Sequence, residues 1–291
     1  MVSLQKTGQA SLRQATVVTV VLATCLATGA FAESHKEYRF TVGRNANISV
    51  DTQYGAISVR PGSSDQVVVT ATLKTDKVEV DQRQNGNRIE IASHLLAGSS
   101  PESGQVDYEL LIPPDASVSL RSSTGPLSAE HLQGDIALEG PDAMVNVRDV
   151  KNGHVHVRTM RGPITLTDVS NAHVEIESIS GDLRLKSVTG PLVQATSSSG
   201  KIFYDGDFGS DGNYKFATHT GDIEALVPPD VSADFKAHSV LGRVQHDFPL
   251  KAQQHSSFPV DAGRSFFGTM GKAASEVVLR SFSGRIRLKQ R

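Results

Sequence analysis

From residue 116 onward, apolar and polar residues alternate in short words, and each word restarts at a glycine or another small residue. One set of words starts at Gly125, Ala143, Gly162, Gly181, Gly200, Gly221 and Gly242, in steps of 18, 19, 19, 19, 21 and 21 residues. A second set is interleaved, starting at Ala116, Gly134, Gly153, Ala172, Gly190, Gly212 and Val231. The second and fourth residues of a word are mostly apolar, as in Ile164/Leu166, Leu183/Leu185, Val155/Val157 and Val174/Ile176, and the first and third mostly polar. Period-two alternation marks a strand with one buried face. No window of useful length carries the 3.6-residue period of a helix. The pattern therefore predicts two strands in every repeat of about 19 residues, with Gly or Pro at the corners where the chain turns.

A two-strand coil of constant length predicts a parallel β-solenoid. Each strand stacks on its equivalent in the next coil, about 4.8 Å away, and the stacked apolar rows make one narrow core. The alternative is an antiparallel sandwich with strands every 8–12 residues. It fits less well, because the spacing holds over some six coils and few Asn-Gly or Asp-Gly hairpin turns separate the words. The reading is all-β, a right-handed solenoid of about seven or eight coils. Regular coils are expected over 116–246 and a final coil over 275–291, "SEVVLRSFSGRIRLKQR". Between them, 247–274 leaves the pattern and reads as an inserted loop. Residues 33–115 carry looser words such as "YRFTV", "QVVVTATL" and "DYELLIPP", a β region that begins the solenoid or blunts its open end.

Residues 1–32 read as a secretory signal peptide. Lys6 and Arg13 flank the apolar run "ATVVTVVLATCLATGA", and Ala30-Phe31-Ala32 is a cleavage site before Glu33. The run is shorter than the ~20 residues that span a bilayer. Cys25, the sole cysteine, lies inside it, and "LATC" leaves lipidation as a second reading. A mature chain from Glu33 has no thiol, which excludes disulfides, thiolate zinc sites and a cysteine nucleophile. It has 27 basic and 31 acidic residues, no nucleic-acid footprint. With 5 % aromatics and no Trp, the core is expected to be thin and aliphatic.

The order of words also resembles a known family. The exported chain opens on "F-x-V" and "G-x-I-x-V-x-x-G", continues with "Y-x-L-x-I-P" and serial "S-G-D-I-x-L" words, and closes on "S-F-S-G-R-I-R-L". Over residues 37–291 this is similar to the bacterial "putative adhesin" family of β-strand repeat proteins of unknown function, relatives of the head-GIN adhesin-like domains. The resemblance implies a β-solenoid and an envelope location, and it supplies no catalytic residues.

Candidate chemistry lies on the outward positions. One column runs Asp182, Lys201, Asp222, Arg243, alternating in sign, and reads as a ladder of cross-strand ion pairs. On the other face His154, His156, His173 and Glu175 form a two-by-two cluster, a candidate site for Zn²⁺ or another divalent metal, with a solvated polar face as the plainer reading. No other cofactor is indicated. The carboxylate pairs a solenoid glycosidase would need, Asp135/Glu175 or Asp182/Asp222, fall near or just beyond the upper limit of the spacing for inverting hydrolysis and lack an aromatic platform. There is no G-x-S-x-G elbow, phosphate loop or dinucleotide fingerprint. Phe258, Phe266 and Phe267, in the segment that leaves the repeat, form either a partner-binding loop or a cap on the open core.

The expected function is thus a non-catalytic, adhesin-like envelope protein, exported to the periplasm, outer-membrane surface or medium, with an envelope polysaccharide or protein as partner. A polysaccharide-acting enzyme and a metal-binding envelope protein are the alternatives.

Overall fold

The computed structural model describes residues 33–247, 251–252 and 263–291. The signal-peptide residues and Phe258 lie outside the described residues. Two long sheets run side by side, one of 12 strands and one of 13. In each, ten strands form a continuous parallel stack, so the molecule has ten two-strand rungs among the described residues.

The inward positions are those the alternation marks. Val145, Ile164, Leu183, Ile202 and Ile223 stack in one sheet, and Ile136, Val155, Val174 and Val193 in the other, each at most 1 % exposed. Towards the C-terminal end the core widens to hold Tyr204, Phe208, Tyr214, Phe216 and Phe235, with neighbouring ring centroids 4.8–6.1 Å apart. The Tyr204 hydroxyl donates to the Val188 carbonyl at 2.8 Å, and Tyr214 donates to Gly190 at 2.9 Å, so neither buried hydroxyl is orphaned.

At the corner from the 13-stranded to the 12-stranded sheet, a buried hydroxyl recurs three residues before the glycine. Ser178, Ser197, Thr218, Ser281 and Ser239 accept the N–H of Gly181, Gly200, Gly221, Gly284 and Gly242 at 2.8–3.0 Å. The last four also donate to the glycine carbonyl of the rung below: Ser197 to Gly181 at 3.5 Å, Thr218 to Gly200 at 3.3 Å, Ser281 to Gly221 at 3.3 Å and Ser239 to Gly284 at 2.7 Å. A Cβ on Gly200 or Gly284 would collide with the carbonyl oxygen of Gly181 or Gly221, so glycine is required by close backbone approach. In one rung the roles exchange. Gly140 stands where others have the hydroxyl, and the methyl of Ala143 occupies the vacated space. An aspartate that follows a corner glycine caps the next rung: Asp135, Asp182 and Asp222 accept the backbone N–H of His154, Lys201 and Arg285 at 2.8–3.0 Å.

The rung order departs from chain order at both ends. Ser275–Ser281 pairs with both Asn213–Thr218 and Ala233–Ser239, and Ile286–Gln290 with both Ile223–Val227 and Val244–His246. The last rung in sequence is therefore the second-last in space. The expected neighbour of Asp222, Arg243, is displaced by Arg285, whose guanidinium lies 3.1 Å from Asp222. At the other end Asn47–Tyr54 and Ile57–Pro61 sit between the rung that starts at Ser117 and the rung of Arg88–Leu95 and Val106–Ile112. The looser N-terminal words thus add two rungs, bringing the total above the seven or eight read from the regular words.

Antiparallel strands cover three of the four sheet ends among the described residues; the fourth, at Val244–His246, is a short parallel strand. Ser34–Thr41 and Gln66–Leu73 extend one sheet beyond Val106–Ile112, and Val78–Asn85 pairs with Arg88–Leu95. Within the segment that leaves the repeat, Ser265–Met270 pairs antiparallel with Ala233–Ser239. Such coverage removes a template for edge-to-edge association.

Ser197→Ala leaves the Gly200 N–H without its acceptor and is expected to cost about 1–3 kcal/mol. Gly200→Ala, which drives a methyl into the Gly181 carbonyl, is expected to cost about 3 kcal/mol or more. Urea unfolding of both variants checks the order; equal, near-wild-type midpoints would contradict the corner assignment.

Candidate functional site

Two outward faces carry the candidate groups. On the 13-stranded sheet the register brings together the residues the spacing selects: His154 lies beside His173, and His156 beside Glu175. The His154 and His173 rings meet edge to face with centroids 4.8 Å apart. The side chains then pair off. Asp135 Oδ1 lies 2.9 Å from His154 Nδ1 and also accepts that residue's backbone N–H at 3.0 Å, while Glu175 lies 3.5 Å from His156 Nδ1. Among the described residues, no group of three or more histidine, cysteine or carboxylate side chains is placed to hold a metal ion. The bond from His154 holds the Asp135 carboxyl below the usual carboxylate range, partly offset by desolvation.

Beside this cluster the face is an ion-pair lattice. Arg121 meets Glu139 at 2.7 Å and Arg158 meets Glu177 at 2.8 Å, both across adjacent rungs. Nearer the C-terminal end Lys236 meets Glu276 at 2.7 Å. Exposed pairs of this kind contribute ~0–1 kcal/mol each, so they fix side-chain positions more than they stabilise.

The 12-stranded sheet has a different outer face. Arg184 stands beside Phe203, its guanidinium carbon 5.9 Å from the ring centroid, and Lys186 beside Asp205. The C-terminal strand places Lys289 3.0 Å from Glu224, and Arg291 lies 2.7 Å from Asp205. The repeat spacing placed Asp222 but gave no sign of this charge arrangement, because it depends on the inserted last rung.

Phe266 lies opposite Ala237, an inward position, and packs half-buried against the core with its ring 4.3 Å from that of His246. Phe267 lies opposite Lys236, on the outer face, and is also half-buried. The exposed apolar residues Met160, Ile179, Phe282, Val240 and Leu241 follow the hydroxyl corner, with Phe282 stacked on His219 at 4.6 Å.

The family model of Toastrack DUF4097 matches residues 45–289, almost the full length of the stack. The chain belongs to this family. No curated protein matches it. Among solved structures, the Toastrack chain is similar to a "putative adhesin" from Bacteroides fragilis at 11 % identity, covering 89 % of this chain and 98 % of that one, with a TM-score of 0.47. It is similar to a "putative adhesin" from Parabacteroides distasonis at 9 % identity, covering 90 % and 98 %, with a TM-score of 0.37. It is also similar to a "putative cell adhesion protein" from Clostridium sporogenes at 13 % identity, covering 89 % and 100 %, with a TM-score of 0.30. Among the described residues no helix is long and apolar enough to cross a membrane.

Because Asp135 titrates low in the fold, its pair with His154 stabilises above the ordinary carboxylate range, and that contribution is lost as pH falls through the depressed pKa. Carboxyl NMR titration is expected to show Asp135 moving up towards the ordinary value in His154→Ala. An unchanged Asp135 titration would refute the pairing.

Proposed function

We propose that this Toastrack chain is an exported, non-catalytic, adhesin-like protein that presents a rigid solenoid to a glycan or protein partner of the bacterial envelope. The observation that carries this reading is the outer surface. Two flat faces, each up to ten parallel strands long, hold outward side chains in registered columns at a spacing of about 4.8 Å. Such a surface matches an extended partner without rearrangement, because its backbone is fixed from both sides of every rung. The carboxylates that a hydrolase would need are engaged instead: Asp222 with Arg285, and Asp135 with His154. The array of exported words and the adhesin names carried by similar proteins agree with this role. The signal-like segment before Glu33 supports export.

A broad glycan array probed with the purified chain from Glu33 tests the reading. Selective retention on a subset of glycans, with their ends unchanged, is the expected result. Release of new reducing or unsaturated ends would replace binding with catalysis.

A further inference from the structure

The outer face of the 12-stranded sheet is charged in an uneven way. Asp182 is committed to the backbone N–H of Lys201 at 2.8 Å, and Asp222 to Arg285. Glu224 is held by Lys289 at 3.0 Å with Arg287 at 3.7 Å, and Asp205 by Arg291 at 2.7 Å. The basic C-terminal strand and the residue after it thus neutralise most of the acids of the neighbouring rungs. Arg184, Lys186 and Lys201 remain exposed, and none of them has an ion-pair partner among the described residues. The half-buried Phe203 lies between Arg184, whose guanidinium carbon is 5.9 Å from its ring centroid, and Glu224, which is itself held by Lys289. The whole chain carries a formal charge of -2, so this cationic patch is local.

We propose that the patch formed by Arg184, Lys186, Lys201 and Phe203 binds an acidic polysaccharide. The inference rests on the presentation reading above and narrows the partner to a carboxylate-bearing glycan. A guanidinium pairs with a carboxylate through two parallel hydrogen bonds, and the ammonium groups of Lys186, on the same strand as Arg184, and of Lys201, at the head of the neighbouring strand, add point charges. The Phe203 ring gives the apolar face of a pyranose a flat surface to lie on, which a bare polyanion does not use. Arg184 and Lys186 stand two residues apart on one strand, about 6.6 Å, and Lys201 heads the neighbouring strand that holds Phe203, so a linear chain laid obliquely across the two strands meets Arg184, Lys186 and Lys201 in turn.

The test uses the purified chain from Glu33 and four probes: alginate as a polyuronate, dextran as a neutral glycan, phosphatidylglycerol vesicles, and polyglutamate. Alginate is expected to bind, more weakly as salt rises, and R184Q/K186Q/K201Q to weaken it by about tenfold or more. Phe203→Ala is expected to weaken alginate and leave polyglutamate unchanged. K215Q/R280Q, exposed cations of the opposite sheet, should leave alginate binding at the wild-type level. Thermal melting verifies that each variant is folded. Equal alginate binding by the triple variant, tighter binding to vesicles or polyglutamate than to alginate, or no alginate binding overturns the inference. If alginate fails while dextran or a neutral glycan on the array is retained, only the acidic-glycan inference falls and the presentation reading stands.

Discussion

The stack depends on a single repeated contact, the buried hydroxyl and glycine at one corner. A chain that turns between two sheets leaves backbone groups pointing away from either ladder, and burying them unpaired is costly. Here the Ser or Thr three residues before the glycine accepts the glycine N–H and, in the C-terminal rungs, donates to the glycine carbonyl one rung below. The same hydroxyl therefore closes its own turn and ties it to the next. The absence of a Cβ lets consecutive turns stack at the spacing the strands impose. Where glycine gives way to alanine at Ala143, the hydroxyl position gives way to Gly140, so space and pairing are traded together.

Much of this architecture was legible in the chain. Alternation selects the inward residues, and the constant step selects parallel stacking over hairpins. What the pattern could not give was the order of the last rungs. The words at Gly242 and Gly284 both open on Gly-Arg and are told apart by their inward residues, Val244 and the exposed His246 in one, the buried Ile286 and Leu288 in the other. The antiparallel strand Ser265–Met270 lies against Ala233–Ser239, and the chain after it returns to the rung between Asn213–Thr218 and Ala233–Ser239. Its residues "SFFGTM" blur the alternation that marks the other strands, because Phe267 stands opposite the outward Lys236 and Gly268 opposite the inward Phe235. The N-terminal rungs were obscured in the same way, by longer turns and by the exchange of order around Asn47–Tyr54.

The candidate sites divide along the same line. The register of His154, His156, His173 and Glu175 follows from local spacing and is as read. Their pairing with Asp135 and with one another depends on rotamers that spacing does not fix. The cationic patch around Phe203 was invisible for a larger reason. Read in chain order, Arg243 follows Asp222; in the folded stack Arg285, Arg287 and Lys289 stand there instead, and the charge of the face changes with them. Surface chemistry in this fold is thus a consequence of rung order, and rung order is a consequence of how the ends are closed.

Cysteine cross-linking measures that order most directly, in a chain that has no thiol after Glu33. Adjacent parallel strands bring Cα atoms within disulfide reach, whereas strands two rungs apart are about 9.6 Å distant. Glu224→Cys with Arg287→Cys, and Arg287→Cys with Gln245→Cys, are predicted to oxidise readily to intramolecular disulfides. Glu224→Cys with Gln245→Cys is predicted to remain reduced. A ready disulfide between positions 224 and 245, with none between 224 and 287, would contradict the inserted last rung and the continuous hydroxyl–glycine corner built on it.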